Sequence, residues 1–157
     1  SLTYRLHAQQ QTSLNEIAVG SALLKPAAFD TALLDEHQPA LWIASPVLKT
    51  LDGALPYAQS LQPLLEAWNP NRQHAYYLYG GRWPAQPVSP AGLDYDELYG
   101  RSANQERLVG GKGTRLTNND WVFLRPAISE GVLGDFSEIR LLRRGQLVGR
   151  WSTIGNS

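Results

Sequence analysis

From His74 onward the chain runs in short apolar and aromatic-rich stretches cut by glycine, and this texture limits the fold more than any other feature. In HAYYLYGGRWPAQPVSP, Gly80-Gly81 stands between two aromatic-rich arms. Both central residues of such a turn accept positive φ, so the stretch predicts a two-residue hairpin. EIRLLRRGQLVGRW repeats the device with Arg144-Gly145, where the arginine leaves the turn type open. Between them, DWVFLRP is apolar on both faces, the pattern of a strand covered on both sides. Together these runs predict a small antiparallel β domain.

The first half is less regular. LTYRLHA alternates Leu2, Tyr4, Leu6 and Ala8 against polar residues, which predicts a half-buried strand. LNEIAVGSALLKP, broken by Gly20 and stopped by Pro26, reads as a strand followed by one helical turn. PAAFDTALLDEHQP predicts a short helix with Pro26 in its first turn and Pro39 beyond its end. LWIAS reads as a buried strand. Ser60 is the expected N-cap of LQPLLEAW, where Leu61, Leu64, Leu65 and Trp68 share one helical face. These elements resemble the closing pieces of another domain more than a domain of their own, because so few short elements bury little by themselves.

Composition bounds the function. At 157 residues, 43% apolar and 18% charged, the chain suits one folded domain and not a disordered segment. Fourteen basic residues balance fourteen acidic ones, so no global field favours nucleic acid or an anionic membrane as partner. The longest apolar runs fall far short of the ~20 residues of a membrane helix, and the opening residues show no signal-peptide pattern. The chain has no Cys, which removes disulfides and thiolate metal ligands and fits the cytoplasm. It also has no Met and opens inside a strand-like run, from which a piece of a larger protein is expected.

Four stretches could carry chemistry. VGGKGTRL exposes glycine amides that could face an anion, but it lacks the G-x-x-x-x-G-K-[ST] spacing and reads as a loop with Lys112 at its tip. His7, His37 and His74 show no ligand spacing with one another or with an acid, so no metal site is expected. YGRSANQE gathers Arg101, Ser102, Asn104, Gln105 and Glu106 in a non-periodic stretch, either a ligand-facing loop or a solvated one. In FLRPAISE a strand would turn Ile128 and Glu130 to one face, and Ile cannot ligate an ion. That leaves Glu130 as a proton-transfer carboxylate or a structural one.

Five ordered blocks, NEIAVGSALLKPAAFD, ASPVLKT, YYLYGGRWPAQPVSPAGL, YGRSANQE and DWVFLRPAISEGVLGDF, together resemble the C-terminal part of the D-threonine aldolase and D-serine dehydratase-like enzymes. These are pyridoxal-phosphate proteins similar to alanine racemase, and YGRSANQE with FLRPAISE resembles the branch described as amino acid deaminase or amino acid aldolase/racemase. The resemblance implies a mainly β (α+β) chain. Residues 1–38 would be the end of an incomplete α/β (TIM-like) barrel and residues 39–157 a C-terminal β domain, or small barrel, with one short helix. It implies pyridoxal 5′-phosphate in the complete enzyme, an amino acid substrate and a homodimer. None of Lys25, Lys49 and Lys112 matches the family's cofactor lysine, so the resemblance implies that this portion is inactive alone and binds no cofactor.

By the same resemblance Ser1, Thr3 and Tyr4 stand at the tail of a phosphate loop, and Tyr99, Arg101, Asn104 and Gln105 line the substrate site or meet a second subunit. Metal-dependent members carry ligands at the positions of Ile128 and Glu130, so a metal is not expected. Glu130 becomes the catalytic candidate, assisting a leaving group without an ion. A stand-alone, non-enzymatic β-rich binding module, presenting Tyr76, Tyr77, Tyr79 and Trp83, is the competing expectation.

Overall fold

The computed structural model describes residues 3–153 of the chain. It divides into two compact units, one of residues 42–125 and one joining the residues up to Leu41 with those from Pro126. The architecture is mainly antiparallel β, as the glycine-cut runs predict. Among the described residues no helix is long and apolar enough to cross a membrane.

The larger sheet contains β1 (Ile43–Asp52), β2 (His74–Tyr79), β3 (Ala85–Ser89), β4 (Leu93–Tyr95), β5 (Gln105–Gly110) and β6 (Trp121–Pro126). Its order, β3-β6-β1-β2-β5-β4, makes a nearly closed, barrel-like sheet whose two end strands follow one another in the chain. Val47, Ala75, Leu78, Leu108, Val109, Val122 and Leu124 form its core, each at most 1% exposed. A bulge around Leu48 shifts the register of β1 against β2, the sort of irregularity that sharpens local twist and lets a small sheet curl.

Gly80 and Gly81 do take positive φ, but they do not close a hairpin. β2 pairs with β1 and β5, while β3 lies beside β6. The glycines serve a different end: a Cβ on Gly81 would stand 2.3 Å from the Ser102 carbonyl oxygen, so only glycine lets the chain leave β2 across the start of β5. β6 is also not covered on both faces. Val122 and Leu124 are buried, whereas Trp121 and Phe123 are exposed, as in a strand with one solvated side.

Helix α2 (Gln62–Trp68) forms with Pro63 in its first turn, but Ser60 does not cap it. A single 3-10 turn, Gln59–Leu61, precedes the helix, and Leu61 takes the cap position without a side-chain bond. The apolar stripe does not define the buried face either, since Leu61, Leu64 and Trp68 are all exposed. The amide of Gln62 anchors the helix instead. Its Oε1 accepts the Ala54 and Leu55 N–H groups, and its Nε2 donates to the Arg72 carbonyl and to Glu66.

In the other unit the expected N-terminal strand is helix α1 (Tyr4–Gln9). No strand lies beside it among the described residues, so its backbone donors close locally, Leu6 and His7 onto the Thr3 carbonyl. Residues 13–19 form no strand, while the helical turn expected after them is a 3-10 turn, Ser21–Leu24. The short helix expected in PAAFDTALLDEHQP is two 3-10 turns, Ala27–Phe29 and Ala32–Leu34, separated where Thr31 adopts an extended backbone. Strands β7 (Glu138–Arg143) and β8 (Gln146–Ser152) make the predicted hairpin. Arg144 and Gly145 take φ values of 50° and 78°, the two positive angles of a type I′ turn.

Candidate functional site

The polar loop 96–106 is held by charge and not left to solvent. It begins at Asp96, just past β4, and ends in β5, and both anchors are acids hidden from water: Asp96 is 1% exposed and Glu106 0%. Buried carboxylates persist only when paired and hydrogen-bonded. Asp96 accepts a hydrogen bond from the Arg72 guanidinium and another from the Leu98 N–H at 3.0 Å. Arg107 Nε lies 3.1 Å from its second oxygen without its N–H aimed along that line, so this contact is an ion pair rather than a hydrogen bond. Arg72 and Arg107 are themselves buried, and Arg107 also donates to the Ala54 carbonyl at 2.5 Å.

Glu106 does the same for the far end of the loop. Its Oε2 accepts the Arg82 N–H at 2.7 Å and Arg101 Nε at 2.8 Å, and its Oε1 accepts the Ser102 N–H at 3.3 Å. Arg101 in turn donates to the Trp83 carbonyl and stacks its guanidinium 3.7 Å from the centre of the Tyr95 ring. Tyr99 covers Arg107 at 4.0 Å. Tyr95 donates to the Ala85 carbonyl at 2.6 Å, and burial pushes its phenol up to about 12, so it stays a neutral donor throughout the physiological range.

The structure thus ties Tyr99 to Arg107 and Arg101 to Glu106, with Asn104 and Gln105 exposed on the same loop. Arg72, Asp96 and Arg107 are what the sequence reading left out, and Glu106, named there only as part of a polar loop, is buried. The only signal for them was a charged pair, Glu106-Arg107, opening an otherwise apolar strand.

Glu130 and the proposed phosphate-loop residues lie in the other unit. Glu130 is not on a strand. β6 ends at Pro126, and Glu130 opens the one-turn helix α3 (Glu130–Leu133). Proline lacks the N–H to extend the ladder, and the following residues turn into the helix. The Glu130 carboxylate is exposed and accepts the Ser21 hydroxyl, with Ser129 Oγ 3.3 Å away. The Ser21 bond holds its carboxyl below the usual range, which suits a fixed anion more than a proton carrier near neutral pH. Tyr4 shares a 3.0 Å hydrogen bond with His37 Nε2, and the Thr3 carbonyl serves helix α1. Ser1 lies outside the described residues.

The described residues do not fit pyridoxal phosphate. Lys25 is buried and donates to the His37 carbonyl at 2.6 Å, Lys49 stands 5.8 Å over the Tyr77 ring, and Lys112 is exposed on the loop after β5. None is offered beside a phosphate cradle, and the Tyr4 hydroxyl is already engaged. Among the described residues no group of three or more His, Asp or Glu side chains could hold a metal ion. No family model matches the chain, and no curated protein or solved structure is significantly similar to it.

Proposed function

We propose that this chain is the β-domain part of a cytoplasmic pyridoxal-phosphate-dependent enzyme acting on D-amino or 3-hydroxy amino acids, of the deaminase, aldolase or racemase type. In this reading it supplies a rigid loop to the site and none of the reaction centre. The observation that carries the reading is the clamping of 96–106, the segment holding the YGRSANQE block, by two buried carboxylates. A substrate-facing loop gains from being held in one geometry before the ligand arrives, because ordering it afterwards costs affinity. Tyr99 and Arg101 then offer an aromatic edge and a guanidinium of fixed orientation. Exposed apolar side chains at Ile17, Val19, Leu23 and Trp42 fit surfaces that a larger enzyme would cover, with a second copy completing a homodimer.

The competing reading as a binding module is the weaker one. Of its four aromatic residues, Tyr76 is 2% exposed and donates its hydroxyl to the Thr114 carbonyl, so it belongs to the core. The test uses the intact protein that contains this chain. Cofactor absorbance together with a borohydride-trapped pyridoxyl-lysine mapped outside residues 1–157 is the expected result. A purified intact protein with neither signal overturns the proposal.

A further inference from the structure

We infer that the β7–β8 hairpin is a peripheral membrane anchor that lies on an anionic lipid surface. The neutral balance of the whole chain conceals how its charges are distributed. Residues 138–152 hold four of the fourteen basic residues, Arg140, Arg143, Arg144 and Arg150, and one of the fourteen acids, Glu138, so the hairpin carries +3 and the rest of the chain −3. A local field of one sign therefore exists where the average shows none.

The register sorts the hairpin side chains into two faces. Along β7, Glu138, Arg140 and Leu142 alternate to one side. Their cross-strand partners are Ser152, Arg150 and Leu147. Regular alternation along β8 would send Leu147 to the other side with Gly149 and Trp151, but the register shift leaves Val148 as an extra residue and brings Leu147 opposite Leu142. This is the solvent face: Arg140, Leu142, Leu147 and Arg150 are exposed, whereas Ile139 and Leu141 on the reverse are half-buried. Two arginines thus stand opposite each other, and next to them two leucines.

Neither pair gains much inside the folded chain. Like charges directly opposite are destabilising. Glu138, 2.5 Å from Arg140 and 3.4 Å from Arg150, is the one acid that serves both, and Arg143 and Arg144 form no ion pair with any described residue. Leu142, Leu147 and Val148 are each more than half exposed. An anionic lipid interface suits both kinds of side chain: guanidiniums meet headgroup phosphates, leucines enter the acyl boundary beneath them, and the arginine stems span the two. A nucleic-acid strand would use the arginines but leave the leucine pair in water, and it would call for stacking aromatics, of which this face has none.

The test sediments the intact protein that contains this chain with vesicles of phosphatidylcholine alone, and of phosphatidylcholine mixed in equal parts with phosphatidylglycerol, at low and high salt. The expected result is binding to the mixed vesicles at least about tenfold stronger than to the neutral ones, weakening as salt screens the arginines. Arg140→Gln with Arg150→Gln should weaken it by about tenfold or more, since each arginine near such a surface is worth about fivefold. Leu142→Ser with Leu147→Ser should weaken it by about tenfold as well and leave the salt dependence in place. All four side chains are exposed, so unchanged circular dichroism should accompany both losses. If a double variant does not fold, Arg150→Gln alone should still cost about fivefold. Equal binding to neutral vesicles, binding indifferent to the variants, a nucleic acid bound more tightly than the mixed vesicles, or variant-sensitive self-association in place of vesicle binding overturns the inference. Sedimentation is read without any cofactor signal, so its failure is distinct from a failure of the pyridoxal-phosphate reading.

Discussion

The 42–125 unit buries two carboxylates, Asp96 and Glu106, and the unit made of 3–41 and 126–153 buries none among the described residues. In the first, Arg72, Asp96, Glu106 and Arg107 are almost wholly removed from water, wrapped by strands that pair across long sequence separations. In the second, Leu142, Leu147 and Trp151 are each more than 60% exposed, α1 closes its first donors onto the Thr3 carbonyl, and the Ala27–Phe29 turn reaches out only through the Ala28 N–H to the Ala127 carbonyl. The difference teaches where this chain keeps its specificity. Long-range pairing creates a dry interior in which an ion must be placed in one geometry or not at all, whereas the second unit buries Leu34 and Val132 but sets no carboxylate in its interior among the described residues.

The sharpest way to break this comparison is to remove Asp96. Asp96→Ala leaves two buried guanidiniums without their carboxylate, and breaking such a pair costs about 3–5 kcal/mol. Urea unfolding should show the loss, and a shift of a few tenths would mean that the cluster is wetter than its burial indicates. Core and surface leucines come next. Leu78→Ala, at 0% exposure, should cost roughly 2–5 kcal/mol. Leu142→Ala, at 66% exposure in the β7–β8 hairpin, should stay within about 0.5 kcal/mol. Equal effects would erase the contrast between the units.

Tyr95 gives a smaller effect with a defined pH signature. Its phenol pKa is raised in the folded chain, so the stability it contributes is fully present below the unfolded tyrosine value and is lost as pH climbs from there through about 12. Tyr95→Phe should remove one late-titrating phenol from the ultraviolet titration and cost about 0.5–1.5 kcal/mol for the hydrogen bond to Ala85. A phenol count unchanged at high pH would sink this assignment. The smallest effect belongs to Glu130. Its folded pKa is depressed, so its contribution is present above the unfolded carboxyl value and is lost as pH falls through the folded one. Ser21→Ala should return the Glu130 carboxyl resonance towards an ordinary titration, followed by carbon NMR, with almost no change in stability.

Much of the β character was legible because it depends on local facts. Arg144-Gly145 closes a hairpin since a type I′ turn needs only two residues that accept positive φ. Gly80-Gly81 carries the same signal and closes none, because β2 found better partners in β1 and β5. The helix at 62–68 was legible from its proline and periodicity, yet its apolar stripe did not mark the buried face, since the Gln62 amide and not Leu61 or Leu64 ties it down. The site was legible only as a polar loop. Nothing in YGRSANQE distinguishes Glu106, which is buried and accepts three bonds, from Gln105, which faces solvent.

By itself the sequence determined that this chain would fold mainly as antiparallel strands with one proline-started helix between them, because turn chemistry and periodicity act over a handful of residues. Only the tertiary structure decided which strands are neighbours, which acids lie in the dark, and that Glu130 opens a helix held by Ser21. Those outcomes depend on contacts such as the ones between residues 72, 96 and 107, whose energies arise from desolvation and geometry across the fold and leave no mark on the letters in between.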